Sequence, residues 1–294
     1  MDQEPGSQRK RIRELEVMVA ETVQETHDTT TLVLFTGNDR LDYLPGHFLT
    51  VDPHQFRQLE RFTAYLEDAK GKKETPRAYS MSSSPDDRYL AFTIKEERYV
   101  SGLTKYPPLL SPLLVHRMPR GTRLIVTGFT GPYVLPPDIS TKTDHLVHVC
   151  AGSGIVPNYS IIKHCLKNMP SMKHTLIYSN KTWEDVIFGR QLNELAAQFP
   201  QQLTVYHSLT RDTNFASRGP NFRGGRVTPA LLREFIPDPE SCHVFCCGPG
   251  ITKYDRAAAK ERGEEPTPRF LESSLAALAE IGIDQKRVHR ESYG

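Results

Sequence analysis

The rhythm of hydrophobic and polar positions changes once along this chain, near Asp144. Before that point apolar residues come in short β-branched or aromatic runs: Val17-Met18-Val19, Thr31 to Phe35, Phe48 to Val51, Tyr89 to Ile94 and Arg123 to Thr127. Gly, Pro, Asp or Asn bounds each run, the pattern of strands joined by turns. Their fairly even spacing, with few helical stretches between, predicts an antiparallel β-barrel domain over residues 14–140. One stretch inside it has helical spacing instead: Phe56, Leu59, Phe62, Tyr65 and Leu66, then Ala69-Lys70-Gly71-Lys72-Lys73 as a basic stop. Residues 54–75 therefore read as an inserted helix and loop, either packed on the barrel or serving as a lid or partner-docking surface.

Beyond Asp144 strand-like and helix-like stretches alternate. Strands are expected at 146–151, 174–179, 203–209 and 243–247, and helices at 157–169, 190–199, 229–235 and 270–281. This alternation predicts an α/β domain with a parallel sheet and helices on both faces, over residues 141–294. Pro136-Pro137-Asp138 and the polar run to Asp144 read as the linker. Residues 1–13, with Arg9-Lys10-Arg11 and Arg13, read as a flexible basic arm.

Length and composition agree with two domains. The 294 residues are 38% hydrophobic, with 13 Phe and 12 Tyr, enough for two cores of ordinary size. A net charge of +2 demands neither nucleic acid nor a membrane as partner. The basic N-terminus has no apolar run behind it, and no stretch reaches the ~18 apolar residues of a membrane span. The expectation is a cytoplasmic protein. The cysteines, at 150, 165, 242, 246 and 247, form no C-x-x-C pair and match neither zinc nor iron–sulfur spacing, so reduced thiols and no metal site are expected.

The candidate chemistry gathers where strands end. Gly152-Ser153-Gly154-Ile155-Val156-Pro157 follows the first strand of the second half. Its glycines let the backbone turn or meet a ligand, and Pro157 suits the first helical position. A helix start at such a turn is an anion site; the alternative is an ordinary strand–helix turn. Lys181, Arg211 and Arg226 follow later strands and could converge on a 2′-phosphate, while no Asp or Glu stands where a ribose hydroxyl would be gripped. The alternative for each is a solvated basic side chain. Cys247-Gly248-Pro249 leaves room for a flat ring beside the backbone. In the first half, Arg77-Ala78-Tyr79-Ser80 alternates a phosphate clamp and an aromatic on one strand face, which suits a flavin; the alternative is an edge strand with a surface Arg. Thr93-Ile94-Lys95 ends a strand. Ser111-Pro112 reads as N-cap and first helical residue, a second possible pyrophosphate cradle or a simple cap. Tyr293, next to the end, either folds back onto a flavin or frays.

Taken in order, Pro45-Gly46-His47-Phe48, Arg77 to Ser80, Ser111 to Leu114, Gly152 to Pro157, Thr210-Arg211, Gly225-Arg226 and Cys247-Gly248-Pro249 resemble the ferredoxin–NADP reductase family, most closely its bacterial-type ferredoxin (flavodoxin)–NADP reductases. The resemblance spans about residues 15–294. It implies an FAD-binding barrel followed by an NADP-binding α/β domain, and hydride transfer between NADPH and FAD coupled to one-electron transfer to a small iron–sulfur or flavodoxin-type carrier. It implies that Arg77 holds FAD phosphate, that Tyr79, with Ala78 beside it, packs on the flavin, and that Ser80 sits near flavin N5. Gly152, Ser153, Gly154, Ile155 and Pro157 would take the NADPH pyrophosphate, and Lys181, Arg211 and Arg226 the 2′-phosphate. Cys247 and Gly248 would face the nicotinamide, and Tyr293 would cover the flavin. Thr93, Ile94, Lys95 and Ser111 complete the expected cofactor contacts. Val156 replaces a common Thr, His47 stands where Gln is usual, and residues 54–75 have no counterpart in the compact pattern. These 294 residues hold no C-x4-C-x2-C set of the iron–sulfur-fused oxygenase reductases. Two other readings stay open: an NAD(P)H reductase component serving an oxygenase or haem protein, and a flavin-free binding module.

Overall fold

The computed structural model describes residues 12–37, 41–101 and 104–293. The first eleven residues of the expected basic arm lie outside the described residues. Chain order begins β1 (Ile12–Thr26), β2 (Thr29–Phe35), β3 (Phe48–Val51), α1 (Glu60–Lys70), β4 (Arg77–Ser80), β5 (Leu90–Lys95), α2 (Ser111–His116) and β6 (Arg123–Thr130). The six strands form one antiparallel sheet in the order β4-β3-β6-β1-β2-β5. A bridge between Met81 and Phe92 joins its two ends. Alternating residues such as Val17, Val19, Leu32, Leu34, Leu49 and Val51 point inward and make the core.

The inserted segment is two short 3-10 turns followed by α1, which stops at Gly71 with φ +64°. Its apolar residues divide between two sides. Phe56 and Leu66 are buried, whereas Tyr65 is 61% exposed and stacks on Phe62.

The second half runs β7 (His145–Ala151), α3 (Ile155–Asn168), β8 (Lys173–Asn180), α4 (Gly189–Gln198), β9 (Leu203–Leu209), β10 (Phe222–Gly224), α5 (Pro229–Phe235), β11 (His243–Pro249), α6 (Lys253–Glu261), α7 (Phe270–Glu280) and β12 (Val288–Tyr293). Its six strands are parallel, ordered β10-β9-β8-β7-β11-β12. One face, with Val147, Val149, Val244 and Cys246, packs against α5 and α7. The other, with Cys150, Leu176 and Tyr178, packs against α3 and α4. Strand order reverses between β7 and β11, the place where such sheets bind ligands at their carboxyl ends.

Several local expectations shift. Pro157 is the third residue of α3, not the first, because Gly152–Gly154 forms a 3-10 turn and the helix opens at Ile155. A first-turn N–H has no helical acceptor in any case, so the proline still fits. Ser111 is the first residue of α2 rather than its N-cap, and its hydroxyl accepts the Glu97 N–H at 3.0 Å. Tyr293 is not frayed; it closes β12, opposite Pro249 of β11. All five cysteines are buried and free.

Polar clasps fix the two halves against each other. On α3, Ser160 donates to the Ser83 carbonyl at 2.7 Å, Lys163 pairs with Asp87, and His164 and Asn168 reach Asp86 at 2.6 and 2.8 Å. Tyr133 donates to Asn158 Oδ1 at 3.1 Å.

Candidate functional site

Two basic clefts lie on either side of the seam between the halves. The barrel cleft, about 500 Å³, is lined by Ala78, Tyr79 and Ser111 and by five cations, Lys70, Arg77, Arg98, Lys105 and Arg269, against the carboxylates Glu97 and Asp255. The Tyr79 ring leans on Phe92 at 5.7 Å, and burial pushes its hydroxyl pKa up. The Arg77 guanidinium donates to Thr75 Oγ1 at 3.2 Å and pairs with Glu74. Glu74 also accepts from Lys70 at 2.6 Å. Burial alone would raise the Glu74 carboxyl, but the hydrogen bonds from Lys70 and Arg77 outweigh it and hold it below the ordinary range. The end of the inserted segment thus braces Arg77.

The sheet crevice, about 520 Å³, opens at the carboxyl ends of β7 and β8. It is lined by Gly152, Ser153, Asn180 and four cations, Lys95, Lys181, Arg226 and Arg269, against the single carboxylate Asp185. Here the backbone makes the shape. Gly152 has φ +53°, a conformation glycine adopts without penalty. A Cβ on Gly154 would sit 2.1 Å from the Cys247 carbonyl oxygen, and one on Gly248 would meet the Phe270 ring at 2.5 Å. The carbonyls of the turn are tied inward: Tyr178 donates to Gly152 O at 2.9 Å and Asn158 Nδ2 to Gly154 O at 2.8 Å. Asn158 Oδ1 accepts from His148 Nδ1 at 2.8 Å, and burial depresses the His148 pKa to about 4, so this imidazole is neutral. Asn180, 7% exposed, ends β8 at the crevice with its buried amide turned toward the Tyr178 hydroxyl, a donor beside the glycine turn.

At the seam Ser80, Cys247 and Tyr293 come together. The Ser80 and Tyr293 hydroxyls hydrogen-bond, and the Tyr293 ring packs on the cluster that holds Cys247. Cys247 is fully buried, and burial pushes its thiol pKa far up, so it is a neutral thiol rather than a nucleophile. The sequence reading missed Glu291. It shares a strand face with Tyr293, pairs with Cys247 across β11 and β12, and hydrogen-bonds Tyr293. Burial raises its pKa to about 7, and one of its carboxyl oxygens has no partner. The two-residue spacing from Tyr293 was the signal that could have found it.

Other expected residues stand elsewhere. Thr93 is buried with its hydroxyl on Thr31 at 2.8 Å, and Ile94 lies in the barrel core, so neither side chain faces a cleft. Lys95 pairs with Asp28 at 2.8 Å and reaches the sheet crevice, not the barrel cleft. Ile155 and Pro157 pack their side chains inward, leaving only backbone for a ligand. Lys181 and Arg226 line the crevice, and Arg211 stands beside Lys181, its N–H on the Lys181 carbonyl at 2.8 Å and its side chain exposed.

Residues 148–254 match the oxidoreductase NAD-binding domain family. The ferredoxin reductase component of 3-ketosteroid-9-alpha-monooxygenase from Mycolicibacterium smegmatis is 34% identical over 80% of this chain and 58% of that protein. NADH-cytochrome b5 reductase 2 of Coccidioides immitis is 29% identical over 75% of this chain and 63% of that protein. The chain thus spans about three-fifths of the length of these curated relatives. The FAD/NAD-binding domain of a nitric oxide dioxygenase from Vibrio cholerae superposes with TM-score 0.70 at 21% identity, covering 97% of this chain and 100% of that one. Ferredoxin-NADP+ reductase from Plasmodium falciparum gives TM-score 0.66 at 16% identity, covering 97% and 100%. Barrel, parallel sheet and glycine turn define a two-domain nucleotide-binding oxidoreductase fold. The fold is that of ferredoxin–NADP reductase-type proteins. Among the described residues no helix is long and apolar enough to cross a membrane.

Proposed function

We propose that the protein is an FAD-dependent NAD(P)H reductase that prefers NADPH and passes electrons singly to a separate iron–sulfur or flavodoxin-type carrier. The observation that carries this reading is the meeting of Ser80, Cys247, Glu291 and Tyr293 at a seam flanked by two basic clefts. The donor set suits dinucleotides. Each cleft has an excess of cations over carboxylates, and each holds a feature for the non-phosphate part: Tyr79 in one, the buried Asn180 amide in the other.

Bound FAD would supply hydride acceptance and stepwise electron release. The chain's own residues bind and orient. Arg77 would hold flavin phosphate, with Glu74 fixing its guanidinium. Tyr79 would lie against the ring. Gly152 and Ser153 would offer backbone N–H groups to the nicotinamide nucleotide's pyrophosphate. Lys181 and Arg226 would favour a 2′-phosphate; each charge-assisted hydrogen bond contributes about 1.5–3 kcal/mol. The Cys247 thiol stays protonated and shapes the nicotinamide position. Ser80, Tyr293 and Glu291 form a hydrogen-bonded row that holds a proton at the seam near neutral pH.

The test is steady-state oxidation of NADPH against NADH by purified, FAD-loaded protein. A clear preference for NADPH is expected, and equal efficiency would discard the Lys181 and Arg226 argument. A second reading, a reductase serving an oxygenase or haem protein, is favoured by the names of the curated relatives. Reduction of ferredoxin, flavodoxin and cytochrome in parallel separates the two.

A further inference from the structure

Arg269 lines both clefts. It stands just before α7, and its main-chain N–H donates to Glu272 at 3.1 Å. Its guanidinium donates to Asp255 at 2.8 Å, with 42% of the side chain exposed. Asp255 is itself fixed, accepting the Thr252 N–H and hydroxyl, both at 2.8 Å. A guanidinium carries five N–H donors, so one hydrogen bond to Asp255 aims it and leaves most donors for a ligand. Thr252, Tyr254, Asp255 and Arg269 also show that the parallel-sheet half supplies one wall of the barrel cleft.

We propose that Arg269 is a shared phosphate-binding cation that touches anionic groups in both clefts and couples the retention of one dinucleotide to the affinity for the other. This rests on the reading of the protein as a reductase that binds FAD and NADPH. Two dinucleotides meeting at one seam bring like charges together, and a cation between them attracts both. Such coupling is reciprocal: the factor by which bound flavin raises nucleotide affinity through Arg269 is the factor by which bound nucleotide raises flavin affinity. It also weakens with salt, since the side chain is partly exposed. Lys181 and Arg77 provide contrasts, because Lys181 lines only the sheet crevice and Arg77 only the barrel cleft.

The experiment uses the full chain and two readouts: the FAD dissociation constant from flavin fluorescence, and the NADP+ dissociation constant from the perturbed flavin absorbance. Arg269→Ala should weaken both by about tenfold, the loss of a charge-assisted contact in each cleft. Arg269→Lys should recover most of both. Lys181→Ala should weaken NADP+ alone, and Arg77→Ala should weaken FAD chiefly. NADP+ should slow flavin release from the unaltered protein and should not do so with Arg269→Ala; no slowing in the unaltered protein would overturn the coupling. If Arg269→Ala changes one affinity or neither, the shared role is overturned while the reductase reading stands. If the unaltered protein cannot be loaded with FAD at all, the reductase reading itself falls.

Discussion

The two clefts are built by opposite means. The sheet crevice is a backbone feature: a left-handed Gly152, a Gly154 pressed against the Cys247 carbonyl, and a Gly248 under Phe270, all at the point where strand order reverses. The barrel cleft is a side-chain feature assembled from distant segments. Arg77 comes from β4, Lys70 from α1, Lys105 from the loop before α2, and Arg269 from beyond α6. The shape of the first therefore survives loss of a charge, though its ligand affinity does not, and fails on gain of a methyl group. The second depends on its charged side chains for both.

The largest effect should come from one carbon. Gly154→Ala would place a Cβ at 2.1 Å from backbone oxygen that cannot swing away. Overpacking of this kind costs about 1–3 kcal/mol, and the upper end is expected here. A thermal melt should fall markedly, and NADP+ binding with it. Gly152→Ala has open space around it and meets only the left-handed backbone penalty of about 1–2 kcal/mol. If the two variants melt alike, the crevice is not shaped by the contact between Gly154 and Cys247.

Charge removal comes next. Arg77→Ala should lower FAD affinity about tenfold and also lower the melting temperature of the apoprotein, since it takes one of two cations from the buried Glu74 carboxylate. Lys181→Ala should raise the KM for NADPH by a similar factor without altering that for NADH. Loss of both coenzymes' affinity together would mean that Lys181 holds the shared pyrophosphate instead of the 2′-phosphate. Smaller again is Tyr293→Ser. The ring packs at the seam, with its hydroxyl on Ser80, where a nicotinamide would have to enter. Removing it should tighten NADP+ binding several-fold while flavin content stays constant. Unchanged binding would remove Tyr293 from the nicotinamide's path.

The same contrast explains what could be read from residues in a row. The alternation beyond Asp144 was legible because a buried parallel strand needs a largely apolar run, and 244–247 is one, while 146–151 is broken only at His148 and 203–209 at Thr204, His207 and Ser208. The glycine turn was legible because only glycine fits a left-handed position or a close approach. β12 was not: at the sheet edge, Val288 to Tyr293 alternates polar residues and lacks an apolar run. α6 carried a capping box, Thr252 with Asp255, that went unread. Arg269 and Lys95 escaped correct placement because side-chain clefts are tertiary objects. Nothing local says that Lys95, at the end of a barrel strand, reaches the other domain's crevice.

Glu291 gives the finest distinction between the halves, because its proton reports on burial at the seam. Its pKa is about 7 in the folded protein, raised by burial from 4.5. The native state thus keeps a proton that the unfolded chain releases between pH 4.5 and 7. Where the native state binds more protons, stability falls as pH rises. Glu291 therefore contributes most below its unfolded pKa, and that contribution is lost as pH climbs through the folded value. Glu291→Gln removes the proton and its linkage together. Melting temperatures of the two proteins, followed from pH 4.5 to 8, should show the unaltered protein losing ground relative to the variant as pH rises. Other groups titrate in both and cancel in the difference. Parallel curves would mean that solvent reaches the carboxylate, and that the row from Ser80 through Tyr293 holds no proton at neutral pH.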